Sequence, residues 1–231
     1  MDIVTGSTVV LDYIEESFHN AHSVRNDAAH SARERQRIAV LDDAGLVNEC
    51  MHGSSIAFDE LVTRYRSKVL RLISSTLGSD SDIEDVAQDI FVKVYLSLGK
   101  FRGDASFSTY LYTVTVNRCR DELRKGKLRR FFSFDEWFSS NGSSSLKQEN
   151  EQELEGDERR GAVRKAMKRL PSHTQMLLHM REVEELSYKE LADIFDVEIG
   201  TIKSRLARAR ERLREELHPY IKDGIMPGDG P

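Results

Sequence analysis

Residues 186–217 read LSYKELADIFDVEIGTIKSRLARARERLREEL, and the spacing of their apolar positions predicts two helices joined by a short turn. Ser187 has the right chemistry for an N-cap, and Glu190 follows at the third helical position, which makes a capping box. Leu191, Ala192 and Phe195 fall on the inward side of the first helix, and residues 196–200 make the turn. On the second helix Ile202, Leu206, Ala209 and Leu213 share a narrow arc at about 100° per residue. Thr201, Ser204 and Arg208 point the other way, with Lys203 and Arg205 on the flanks. Such a division suits a helix-turn-helix, in which one face holds the fold and the other lies in the major groove, offering donors to base edges and phosphates. An ordinary antiparallel helix pair with a solvated basic face has the same spacing.

Working outward, helical periodicity begins at about residue 159, with Val163, Met167 and Leu170 facing inward up to the breaker Pro171. A small helical domain over 159–222 is predicted, closed by a polar tail at 223–231. Before it, residues 131–158 read FFSFDEWFSSNGSSSLKQENEQELEGDE, with eight acids against the single Lys147. That composition buries too little apolar surface to offset its chain entropy, so it reads as a flexible acidic linker.

The N-terminal half is helical from about residue 41. Phe58, Leu61, Val62, Tyr65, Val69, Leu72 and Ile73 recur at helical spacing before a stop at Gly78. In 81–99, Ser81 and Glu84 have capping-box spacing. Ile83, Val86, Ala87, Ile90, Phe91, Val94 and Leu98 then line one face, leaving Asp82, Asp85, Gln88, Asp89 and Lys93 on the other. A loop containing Gly103 leads to a third helix, and 41–130 is predicted to be an all-α bundle. Residues 1–40 carry one modest apolar patch and read as a poorly ordered extension or one weak helix. The fold class is therefore all-α, two small helical domains on either side of the linker.

Residues 107–130, FSTYLYTVTVNRCRDELRKGKLRR, place Tyr110 and Tyr112, both read as exposed, beside the amide of Asn117. Arg118, Arg120, Arg124, Lys125, Lys127, Arg129 and Arg130 follow. Taken singly, the aromatics fit a core and the cations fit a helix C-terminus. In this order they match what an unstacked strand needs: ring faces, a polar group to read an edge, and cations for the backbone. The formal net charge of -5 argues against indiscriminate coating of nucleic acid. Cys50 and Cys119 show no CxxC spacing and no secretory leader is read, so the expectation is a reduced, cytoplasmic chain without membrane insertion.

The two blocks 81–123 and 170–213 resemble regions 2 and 4 of the extracytoplasmic-function sigma factors, with the similarity extending over about 41–130 and 159–217. The resemblance implies a transcription initiation subunit that binds core RNA polymerase, recognises promoter DNA as duplex and as single strand, and opens it. It implies docking of region 2 on the β′ clamp helices through Asp82, Asp85, Gln88 and Asp89, and of region 4 on the β flap. The minus-10 element, with a base flipped into a pocket, would meet Ser97, Leu98, Phe101, Tyr110, Val114 and Asn117, while Lys93 and Arg118 hold phosphates. The minus-35 element would meet Thr201, Lys203, Ser204, Ala207 and Arg208. The linker would thread the polymerase's RNA path, and an anti-sigma factor is implied as a further partner. Four positions depart from the family pattern: Tyr110 for the usual Trp, Thr113 for a common Arg, Glu198 for a frequent Pro, and the small Ala207.

No P-loop, HExxH, GxSxG or dinucleotide-binding glycine turn is present. His19, His22, His30, Cys50 and His52 fit no compact zinc spacing. The expectation is a protein that is not an enzyme and takes no cofactor, with a stand-alone dimeric helix-turn-helix regulator as the rival reading.

Overall fold

The computed structural model of the chain describes residues 28–78, 82–126 and 158–222, and among these the secondary structure is entirely helical. The elements are α1 (Ala28–Ala39), α2 (Asp43–Met51), α3 (Ser55–Leu77), α4 (Ile83–Ser97), a single 3-10 turn (Leu98–Lys100) and α5 (Phe107–Gly126), then α6 (Glu158–Arg169), α7 (Ser172–Glu182), α8 (Tyr188–Phe195) and α9 (Ile199–Lys222). The acidic linker, apart from Glu158, and the tail at 223–231 lie outside the described residues. Packing divides the described residues into two units, one of residues 28–70 and 82–118, the other of 71–78 and 119–222. The division falls inside α3, a helix of 23 residues, and inside α5.

In the first unit Phe58, Leu61, Tyr65 and Val69 of α3, Val86, Ala87, Ile90, Phe91 and Val94 of α4, and Phe107, Leu111, Val114 and Val116 of α5 are buried. The helical spacing read from the sequence is thus the core spacing, except that Val62 and Ile83 are only half-buried. Gly78 ends α3 as expected, at φ +79° with its N–H on the Ser74 carbonyl at 3.2 Å. The cap of α4 differs from the expectation. It is Asp82, whose carboxylate accepts from the Asp85 N–H at 3.3 Å, while Ser81 lies outside the described residues. Glu84, expected to close a box, instead accepts from Arg66 at 2.6 Å.

The compact unit also begins earlier than residue 41. Ile38 on α1 is only 1% exposed. Arg37 bonds Glu49 at 2.9 Å, and Arg64 donates to the Ala39 carbonyl at 2.9 Å. Residues 28–39 are thereby pinned to α2 and α3, whereas 1–27 lie outside the described residues.

In the second unit Leu191, Ala192, Ile194 and Phe195 of α8 pack with Ile202, Leu206 and Ala209 of α9. The capping box is present: Ser187 N–H reaches Glu190 Oε2 at 2.8 Å, and Glu190 N–H reaches Ser187 Oγ at 3.2 Å. On α6 the buried residues are Ala162 and Ala166, and Leu170 just past its end is buried as expected, while Val163 is exposed and Met167 half-buried, which corrects those two positions. Alanines four apart leave little side chain between helices and let α6 and α9 approach closely. Every residue of α7 from Ser172 to Met180 is buried. Its polar Gln175 is satisfied by donating to the Leu170 carbonyl at 2.7 Å. Burial pushes the His179 imidazole below its ordinary value, which keeps it neutral.

Among the described residues two non-glycine residues sit in the left-handed region, Glu185 at φ 56° and Asp196 at φ 53°. Asp tolerates this geometry because its short side chain bonds locally; Glu gains no such relief. Glu185 turns the chain so that the Leu186 N–H reaches the Met180 carbonyl at 3.1 Å. Replacing Glu185 by Gly should therefore stabilise the second unit by about 0.5–1 kcal/mol, seen as a higher urea midpoint. A midpoint that stays put or falls would mean that the side chain contributes more than the strain costs.

Candidate nucleic-acid interface

Three groups of side chains stand out, two on the first unit and one on the second. The first lies where α4 ends and α5 begins. Ser97 Oγ lies within hydrogen-bond reach of the carbonyls of Lys93 and Val94 and bonds the Tyr110 hydroxyl. That bond holds the Tyr110 ring against Phe101, with centroids 5.1 Å apart and planes tilted by 44°. Both rings are half-buried, which leaves part of each face open for stacking. Tyr110, Val114 and Asn117 recur on α5 at the spacing of one helical face, and Asn117 at the far end of that row is exposed. Lys93 is exposed as well.

Leu98 and Val114 are 3% and 7% exposed. They belong to the core beneath this surface. Tyr112, read from the sequence as exposed, is 2% exposed, because it falls two residues from Tyr110 and so on the opposite side of the helix.

The second group is the polar side of α4. Asp82, Asp85 and Asp89 are exposed and Gln88 is half-buried. The Asp82 carboxylate, with a smaller contribution from Asp89, pushes the Asp85 carboxyl above its ordinary value; the like charges destabilise one another until a cation approaches. Asp82 also has a local job as the helix cap. Asp89 is not solely an outward group: Arg118 donates to its Oδ2 from Nη2 at 2.8 Å and from Nε at 3.3 Å. Sequence spacing missed Leu96, which is 63% exposed and continues the row Asp85, Asp89, Val92. Its signal was a leucine lying off the apolar arc.

The third group is on α9. Lys203, Ser204, Ala207 and Arg208 are exposed and Thr201 is half-buried. Ser204 donates to the Thr201 carbonyl at 2.9 Å, so its outward lone pairs are left to accept. Arg210, two residues on, is held by Glu182 at 2.8 Å and by Tyr188, whose phenol it pulls below its ordinary value. Arg210 therefore braces the fold, while Lys203 and Arg208 face outward. Ile199 at the helix start is exposed too, a position the sequence reading passed over.

Residues 61–129 match the family described as Sigma-70 region 2, and residues 160–213 match Sigma-70, region 4. The chain is 36% identical over 187 residues to the ECF RNA polymerase sigma-E factor of Escherichia coli, an alignment covering 79% of this chain and 97% of that one. It belongs to the extracytoplasmic-function sigma factors. A second relative, the RNA polymerase sigma-H factor of Pseudomonas aeruginosa, is 33% identical over 78% of this chain and 96% of its own.

Two solved structures share the fold. CnrH in complex with the cytosolic domain of CnrY has a TM-score of 0.56 at 21% identity and covers 77% of this chain and 97% of its own. The sigma factor RpoE in complex with the anti-sigma factor NepR from Bartonella quintana has a TM-score of 0.55 at 24% identity and covers 70% and 96%. As a sigma factor the chain directs RNA polymerase in transcription initiation, and the chemistry of RNA synthesis belongs to the polymerase. The stand-alone regulator reading is not favoured, because the similarity runs through both regions and not only the helix-turn-helix. Among the described residues no helix is long and apolar enough to cross a membrane.

Proposed function

We propose that the first unit docks on the β′ clamp helices of core polymerase through Asp82, Asp85, Gln88 and Asp89 and captures the minus-10 element as a single strand. The observation that carries this reading is the Ser97–Tyr110–Phe101 cluster in line with exposed Asn117. A flipped base would stack on the open ring faces and be read on its edge by Asn117, above a floor that Leu98 and Val114 form. Lys93 and Arg118 would take the phosphates on either side.

On the second unit, Lys203 and Arg208 would take phosphates or base edges of the minus-35 duplex, with Thr201, Ser204 and Ala207 against the groove floor. The unit as a whole would dock on the β flap. The acidic linker would order only in the polymerase's RNA path. Because both structural relatives are held by protein partners, we infer an anti-sigma factor for this chain too. The site of action is then the cytoplasm, at the nucleoid when polymerase is bound.

Charge reversal of Asp85 and Asp89 to Lys should weaken binding to core polymerase by about tenfold or more with the helical circular dichroism intact. Unchanged affinity would move the docking face elsewhere. Asn117→Ala should lower open-complex formation at a cognate promoter roughly tenfold, the value of one edge-reading hydrogen bond of about 1–2 kcal/mol, while assembly with core stays normal. Normal opening would remove Asn117 from the pocket. Substituting Lys203 and Arg208 should weaken minus-35 binding and lower the salt slope by about one for each phosphate that is no longer neutralised; an unaltered slope would exclude that role.

A further inference from the structure

Glycine disfavours a helix, because it has the most backbone freedom to lose and no side chain to pack, so a glycine inside one calls for a reason. For four glycines of the described residues the reason is internal. Gly53, Gly78 and Gly103 stand at positive φ, and at Gly45 in the first turn of α2 an added Cβ would meet Asp42 Oδ1 at 3.1 Å and Leu41 Cβ at 3.3 Å. Gly200, in the first turn of α9, has neither reason: its backbone is helical, and an added Cβ would find no atom of the protein within 4 Å. Gly99 is as open, but it stands in a single 3-10 turn and weakens no α-helix.

Gly200 is exposed, and it precedes Lys203, Ser204 and Ala207 by three, four and seven residues, which puts it on the same outward side of α9. In a helix-turn-helix the first residues of the second helix are the ones that meet base edges in the major groove. A side chain at position 200 would stand between the helix backbone and those edges. Alanine, the residue that the fold would accept most readily here, is therefore the one that the DNA would exclude.

We infer that Gly200 is a clearance residue for minus-35 recognition: its missing side chain lets the first turn of α9 come into contact with the base edges of the duplex, and that depth positions Lys203, Ser204 and Arg208 to reach theirs. This rests on the minus-35 face of the proposed function, and adds to that face a residue that acts by what it lacks. Folding and recognition then make opposite demands at one position. Glycine is kept there at the expense of helix stability because the bound duplex occupies the space that a side chain would take.

Full-length Gly200→Ala and Gly200→Leu, each assembled with core polymerase, test the clearance. The probe is a fluorescently labelled duplex carrying the upstream element of a promoter recovered by run-off transcription, with a scrambled duplex alongside. Gly200→Ala should raise the urea midpoint of the free chain, as this change does where the backbone is already compatible. It should nonetheless weaken binding to the promoter duplex roughly fivefold or more, the effect of forcing one methyl into a close contact. Gly200→Leu, whose side chain is a good helix former, should weaken it further, and neither should alter binding to the scrambled duplex, which rests on phosphates. Unchanged promoter binding by Gly200→Ala overturns the clearance. So does a loss accompanied by a lower urea midpoint, which would make Gly200 a structural residue, and so does an equal loss on the scrambled duplex. Lys203→Ala on the same probe separates the two claims: if it weakens binding and Gly200→Ala does not, the minus-35 face stands and the clearance falls, whereas if neither does, the face fails and the clearance with it.

Discussion

Burial of Val86, Ala87, Ile90, Phe91 and Val94 along one side of α4 fixes the rotation of that helix, and with it what the first unit offers to partners. Each large apolar side chain removed from water contributes roughly 1.5–3 kcal/mol, and turning the helix by one residue's 100° would exchange them for ionised carboxylates that the interior cannot solvate. The acidic row and Lys93 are therefore held outward by the cost of any alternative. The same burial sets the far end of the helix, where Ser97 meets Tyr110 and the Phe101 ring. This helix thus presents a carboxylate surface at one end and meets a half-open aromatic cluster at the other.

The second unit is organised by the same physics with a different output. The Ser187–Glu190 box fixes where α8 starts, the left-handed Asp196 fixes where it stops, and Ile202, Leu206 and Ala209 set the rotation of α9. With Arg210 bound to Glu182, Lys203, Ser204 and Arg208 remain as the outward face. Reading intact duplex and capturing an opened strand need different surfaces, one matched to a groove and one to exposed rings. The proposed function puts them on separate units, which lets each be rigid.

Much of this was legible in the sequence because large apolar residues at helical spacing report directly on burial. The inward faces of α3, α4 and α9 follow from that spacing, and the helix-turn-helix follows from its caps. Legibility failed where burial does not scale with size. Alanines four apart carry the α6 packing, while the larger Val163 faces water. Tyr112 is buried though Tyr110 is only half-buried, since residues two apart on a helix point about 200° apart. The cap of α4 passed to Asp82 because Asp is as good an N-cap as Ser. The compact part of α1 was missed because it hangs on one isoleucine and on ion pairs. The Asp89–Arg118 pair, 29 residues apart, has no signal in local pattern at all.

Both surfaces serve a catalyst that the described helices do not supply, and that division of labour is the central claim. Run-off transcription on a genomic DNA library with core RNA polymerase, with and without the full-length protein, tests it most directly. Transcripts should come from a discrete set of start sites and appear only when the protein is added. Core polymerase that yields the same products with or without it would contradict the claim.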